Sequence, residues 1–186
     1  MQSENLIQTL IEQTRQIINH IEKLNTHDLH ILSWKENEST WSVLECLEHL
    51  NLYGNFYLPL IEKNIADAKS NFEFEFKSGP LGNYFAKSML PKDKLNRMKT
   101  FKNKNPLNAT LDKKVIEHSL NQQIKLLHLL NQSRNVSLNK VKIQTSISSL
   151  IKLKLGDTFQ FIINHIIRHL KQIDTILSKI KKVSYK

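Results

Sequence analysis

Three of the eight histidines in this chain occupy positions where their side chains can meet. His165 and His169 lie in a stretch from Gly156 to about Lys182 whose apolar residues recur at helical spacing. At about 100° per residue, Ile162, Ile166, Ile173, Ile176 and Ile180 fall on one face, with both histidines near its middle. Side chains four apart stand one above the other on a helix, so this pair can hold one metal ion. His49 sits on the apolar face of a second helical stretch, among Cys46, Tyr53, Phe56, Tyr57 and Leu60. One histidine on an apolar face usually reads as a hydrogen-bonded core residue. A third inward imidazole from another helix favours a metal site. Three neutral imidazoles with a vacant position is the arrangement catalytic zinc uses, the vacancy taking water or substrate. Imidazole suits zinc, nickel, copper and iron alike. His20, His118 and His128 lack a helical partner, and His27 and His30 fall in a polar connector.

The elements that must position these residues are helices. A first segment spans about Asn5 to Leu24, with Leu6, Leu10, Ile17, Ile18 and Ile21 at helical spacing. A second starts after Trp41, where Ser42 and Glu45 form a capping-box signature, and runs to about Ala68. Pro59 inside it predicts a kink or a lost hydrogen bond. A third spans about Leu111 to Gln132, and a fourth follows Gly156-Asp157, where Asp157 and Gln160 resemble a second capping box. Asn135 to Gln144 reads as a connector and Ser146 to Leu153 as a short helix. Between the second and third segments lies a long insertion, about residues 70–108, holding Pro80, Pro91, Pro106, Gly79 and Gly82. In it Phe72-Glu73-Phe74-Glu75-Phe76 alternates like a strand, with no partner strand after it. Four amphipathic helices of about 20 residues or more predict an all-α four-helix bundle in a single domain spanning 1–186.

Composition narrows the classes further. Apolar residues make up 40% of the 186 and charged residues 24%, which supports a core and excludes a disordered chain. Four glycines and four prolines are too few for an all-β fold. No apolar run reaches the roughly 18 residues of a membrane span, and the N-terminus carries no signal-like pattern, so the expected address is cytoplasmic. A single cysteine, Cys46, excludes an intrachain disulfide and a multi-cysteine zinc site. The net charge is +10. Much of it falls between Lys87 and Lys114 (Lys87, Lys92, Lys94, Arg97, Lys99, Lys102, Lys104, Lys113 and Lys114 against Asp93 and Asp112), with Lys179, Lys181, Lys182 and Lys186 near the end. A basic segment poor in arginine lacks the planar fork that favours phosphate and base recognition, so it reads as a solvated loop with no specific nucleic-acid partner.

Two segments carry a family resemblance. Trp41-Ser42-Val43-Leu44-Glu45-Cys46-Leu47-Glu48-His49-Leu50 resembles the WSxxExxxHL segment of the DinB/YfiT-like proteins. Asn164-His165-Ile166-Ile167-Arg168-His169-Leu170-Lys171-Gln172-Ile173 resembles their closing HxxRHxxQI segment. The resemblance implies an up-down-down-up four-helix bundle, often a homodimer, in which one histidine of helix two and two of helix four bind a divalent metal such as zinc or nickel. It carries those roles onto His49, His165 and His169. It also implies a small-molecule substrate and, among the activities of such proteins, transfer of a low-molecular-weight thiol (bacillithiol, mycothiol or glutathione) to an electrophile. A bound cation favours thiolate over thiol, and thiolate is the nucleophile. The insertion is not part of this pattern.

Other residues carry two readings each. Cys46 is a fourth ligand or reactive thiol, or a buried inert residue, which is the preferred reading. Arg168 holds an anionic substrate or, leaning away from the triad, forms a surface or interface ion pair. Trp41 reads as a core anchor, and Tyr53 and Tyr57 as core rather than pocket lining. Tyr84, Phe85 and Met89 form a lid or a satellite cluster. Glu45 is the nearest candidate general base for the alternative in which metal-bound hydroxide drives hydrolysis. A non-catalytic metal-stabilised module with a basic loop is the other alternative.

Overall fold

The computed structural model describes residues 1–91 and 100–184. Four long helices, α1 (Ser3–Leu24), α3 (Val43–Ala66), α5 (Lys114–Gln132) and α6 (Leu155–Ser184), form its body. Two short helices, α2 (Leu29–Ser33) and α4 (Pro80–Ser88), and an antiparallel hairpin of β1 (Lys142–Gln144) and β2 (Lys152–Lys154) complete it. Around the bundle α1 neighbours α5 and α6, and α3 neighbours the same two. Helices consecutive in sequence, α1 with α3 and α5 with α6, therefore stand on diagonals, which the long links between them permit. The core is the meeting of their apolar faces: Ile7, Ile17 and Ile21 of α1, Leu44, Leu47 and Ile61 of α3, Leu129 and Leu130 of α5, Ile163 and Ile173 of α6.

The capping box at α3 is present as expected. The Ser42 hydroxyl accepts from Glu45 N–H at 3.1 Å, and the Ser42 N–H donates to Glu45 Oε2 at 2.8 Å. α3 continues through Pro59 as one helix, with Pro59 exposed and Tyr57, Leu58 and Ile61 buried around it. Burial of that face outweighs the hydrogen bond a proline removes.

Two local expectations are corrected. Ser146 to Leu153 is not a helix: it turns and then enters β2, whose Leu153 pairs with Ile143, both buried. Strands of three residues are too short for alternation to show in sequence. The start of α6 is not capped by Asp157 either. α6 begins at Leu155, directly after β2, and Asp157 lies fully buried in its first turn. Its carboxylate reaches the insertion, accepting from the Ser78 hydroxyl and from Gly79 N–H at 2.9 Å, where α4 begins. Gly82 of α4 makes this close approach possible, since a Cβ there would stand 2.5 Å from Asp157 Cβ.

The alternating Phe72–Phe76 segment finds its partner before it in sequence. Glu75 bridges Gln2, Ser3 N–H donates to the Phe74 carbonyl at 2.8 Å, and Phe76 N–H donates to the Met1 carbonyl at 2.9 Å. Phe76 is buried, while Phe72 and Phe74 are exposed. Among the described residues no helix is long and apolar enough to cross a membrane. Lys92, Lys94, Arg97 and Lys99 of the basic stretch and Lys186 of the tail lie outside the described residues, as do the side chains of Lys181 and Lys182.

Candidate metal centre

α3 and α6 are neighbours, and their contact brings His49 of α3 against His165 and His169 of α6. The ring centroids lie 4.7 Å (His49–His169), 4.7 Å (His165–His169) and 5.2 Å (His49–His165) apart. The Nε2 atoms converge: His165 Nε2 is 3.3 Å from that of His49 and 3.1 Å from that of His169. Among the described residues these three form the one group of histidine, cysteine and carboxylate side chains whose ligand atoms could hold a metal ion, all within 4.8 Å of one another. All three are buried.

The outer nitrogens explain why the inner ones face each other. His49 Nδ1 donates to the Lys104 carbonyl at 2.6 Å, and His169 Nδ1 donates to Gln172 Oε1 at 3.0 Å. Each acceptor fixes the proton on Nδ1, so in the neutral ring Nε2 presents a bare lone pair to the centre. His165 Nε2 can donate to one of these lone pairs at most, so lone pairs face one another at a buried centre. A cation removes that conflict, and nitrogen donors of this kind suit zinc and other borderline divalent ions.

Electrostatics give the same protonation state. Burial lowers His49 to about 4 despite its hydrogen bond to Lys104, and lowers His169 to about 3 with help from the neighbouring His49. Burial also takes His165 well below its ordinary range, reinforced by the other two imidazoles and by Arg168. All three are neutral at neutral pH, the form that ligates metal.

Aromatic rings surround the centre. Trp41 lies 4.7 Å from His49 and 5.9 Å from His169, and its indole N–H donates to Asn105 Oδ1 at 3.1 Å. Tyr53 lies 5.0 Å from His49 and 4.8 Å from His165. Both are half-buried and packed against the core, as expected, and both also flank the triad. Burial pushes the Tyr53 phenol up to about 12, so it stays protonated at neutral pH. Tyr57 is core as expected, its hydroxyl accepting from Ser146 N–H at 3.0 Å.

The remaining candidates fall elsewhere. Cys46 is fully buried, does not join the triad, and has its thiol pushed far up by burial, which makes it inert. Glu45 has both oxygens engaged in structure: Oε2 at the helix cap, Oε1 accepting from Lys35 Nζ at 3.1 Å and from Asn108 N–H at 2.5 Å. Arg168 is not on the surface as expected but 6% exposed. α6 is enclosed by α1, α3 and α4, so little of its circumference faces solvent. Of the proposed lid residues, Phe85 and Met89 pack on the core and Tyr84 is 66% exposed.

Two residues that touch the triad were not anticipated. Lys104, in the insertion, holds His49 through its carbonyl and lays its ammonium 5.4 Å from the Tyr53 ring centroid. No local signal marks it, because the contact joins residues 55 apart. Gln172 stands one turn after His169, a spacing at which a polar side chain can orient a ligand on the same helix.

A family model described as DinB superfamily matches residues 9–173. Comparison with curated proteins and with solved structures gives no match.

Proposed function

The chain belongs to the DinB superfamily, and from that membership and the geometry of the triad we propose that it is a divalent-metal-dependent enzyme that transfers a low-molecular-weight thiol to an electrophile. The observation that carries this reading is the convergence of three neutral, buried Nε2 atoms, with the outer nitrogens of His49 and His169 held by the Lys104 carbonyl and Gln172. His49, His165 and His169 hold the cation, and the family resemblance favours zinc or nickel among the ions that imidazoles bind. A bound cation would stabilise thiolate at neutral pH.

The chain's own residues do the rest. Trp41 and Tyr53 screen the centre from bulk water, and the neutral imidazoles leave the cation's charge uncancelled. In the transfer the thiol loses its proton to solvent and its sulfur attacks the electrophilic carbon. The carbon–sulfur bond forms as the bond to the leaving group breaks, and the leaving group departs with that electron pair. Hydrolysis at the same centre is less well supported, because Glu45, the base suggested for it, is engaged by Ser42, Lys35 and Asn108. The reading includes an up-down-down-up course for the four long helices and a homodimer, both drawn from the family resemblance.

The test is elemental analysis of untagged protein with an anomalous-scattering map at the triad. One metal per chain is expected in the wild type and its loss in His165→Ala. A wild type without stoichiometric metal ends the reading.

A further inference from the structure

Residues 101–108 of the insertion lie against α3 and the residues that lead into it. The Lys104 carbonyl accepts from His49 Nδ1 at 2.6 Å, and Lys104 Nζ donates to the Leu52 carbonyl at 2.5 Å. Asn105 Oδ1 accepts from the Trp41 indole N–H at 3.1 Å and from Leu107 N–H at 3.2 Å, so one oxygen both shapes the stretch and grips Trp41. Asn108, at φ 64°, donates its N–H to Glu45 Oε1 at 2.5 Å and accepts from Lys35 Nζ at 2.8 Å through Oδ1. Within this stretch only Pro106 is buried. Its docking therefore rests on directed hydrogen bonds and little apolar burial, which places it at the low end of local stability.

We propose that Asn105 is a positioning residue of the metal centre, acting through Trp41 and the adjacent Lys104 carbonyl, and that docking of residues 101–108 and cation binding at the triad favour each other. The Lys104 carbonyl holds His49 Nδ1 only while the stretch is docked. A cation at Nε2 in turn fixes the ring whose Nδ1–H anchors the stretch. Trp41, with ring centroids 4.7 Å from His49 and 5.9 Å from His169, carries the hold of Asn105 to two of the three ligands. By linkage, the factor by which docking raises cation affinity is the factor by which the cation raises docking. The exposed Phe101, Lys102 and Asn103 thus sit on a segment whose order follows metal occupancy. The inference rests on the proposed function only in that the triad binds a divalent cation, and it holds whatever reaction the centre performs.

The test measures amide hydrogen exchange across residues 101–108 of the full-length protein, first in EDTA and then loaded with zinc, alongside zinc affinity against a competing chelator. Zinc is expected to slow exchange in this stretch about ten-fold. Asn105→Ala is expected to speed exchange there in the metal-free protein and to weaken zinc about ten-fold, with the metal-free melting temperature little changed because Asn105 is exposed. Asn105→Asp keeps the acceptor oxygen and is expected to restore slow exchange in the metal-free protein. Trp41→Phe removes the indole donor and keeps an aromatic ring, so it is expected to reproduce the effect of Asn105→Ala, with the double variant no worse than either alone. It also stands in if Asn105→Ala does not fold. Zinc uptake with unchanged exchange at 101–108, or undiminished zinc affinity in both single variants, overturns this proposal and leaves the proposed function standing. A wild type that takes up no zinc or other divalent metal overturns both.

Discussion

His49 and His169 each direct Nδ1 at a protein acceptor and Nε2 at the centre, so the two acceptors orient the triad as much as the helices do. Replacing Gln172 by leucine removes one of them while keeping the helix. Metal affinity measured against a competing chelator is expected to fall about 10–100-fold with the melting temperature of the metal-free protein little changed. Protonation gives a second prediction. In the unfolded chain these imidazoles titrate near 6.5, whereas in the fold His49 and His169 titrate at about 4 and about 3. The unfolded state therefore binds more protons below pH 6.5. The stability contributed by the neutral rings is fully present above that pH and is lost as pH falls towards 4 and then 3. At about 1.4 kcal/mol per pKa unit, His49 alone accounts for a loss on the order of 3 kcal/mol. Thermal melts in EDTA from pH 7 to pH 4 are expected to show this decline, and a flat profile would contradict the burial of the triad.

At the scale of elements, the insertion is tied into the bundle at separate points. Asp157 anchors its first part through Ser78 and Gly79, and Lys154 Nζ donates to the Lys77 carbonyl at 2.5 Å. Lys104, Asn105 and Asn108 bind its last part to His49, Trp41 and Glu45. Asp157 is fully buried, so Asp157→Ala leaves the Gly79 N–H without its acceptor and opens a space beside Gly82. The expected cost is about 1–3 kcal/mol, with faster amide hydrogen exchange at the start of α4 and little change in α1 or α5. Uniform destabilisation across all helices would show that Asp157 supports the core generally and not α4 specifically.

At the scale of the whole molecule, the net charge of +10 governs non-specific association. Binding to duplex DNA in gel-shift assays is expected at low salt and to disappear by about 0.15 M, because attraction of a lysine-rich surface to phosphates is screened as counterion release weakens. Binding that persists there would indicate a dedicated nucleic-acid surface. The diagonal placement of α1 with α3 and of α5 with α6 also has a functional consequence. It makes α3 and α6 neighbours, and their shared seam holds the triad.

The number of long helices, the capped start of α3 and the inward faces of His49, His165 and His169 were legible in the sequence, because helical periodicity and capping are local properties. The i, i+4 pair of α6 was legible for the same reason. What only the tertiary structure decided depends on contacts between distant residues. The burial of Arg168 follows from how many neighbours α6 has. The role of Asp157 follows from an insertion docked some 78 residues away in sequence. The grip of Lys104 on His49 runs through a backbone carbonyl, which no residue type encodes.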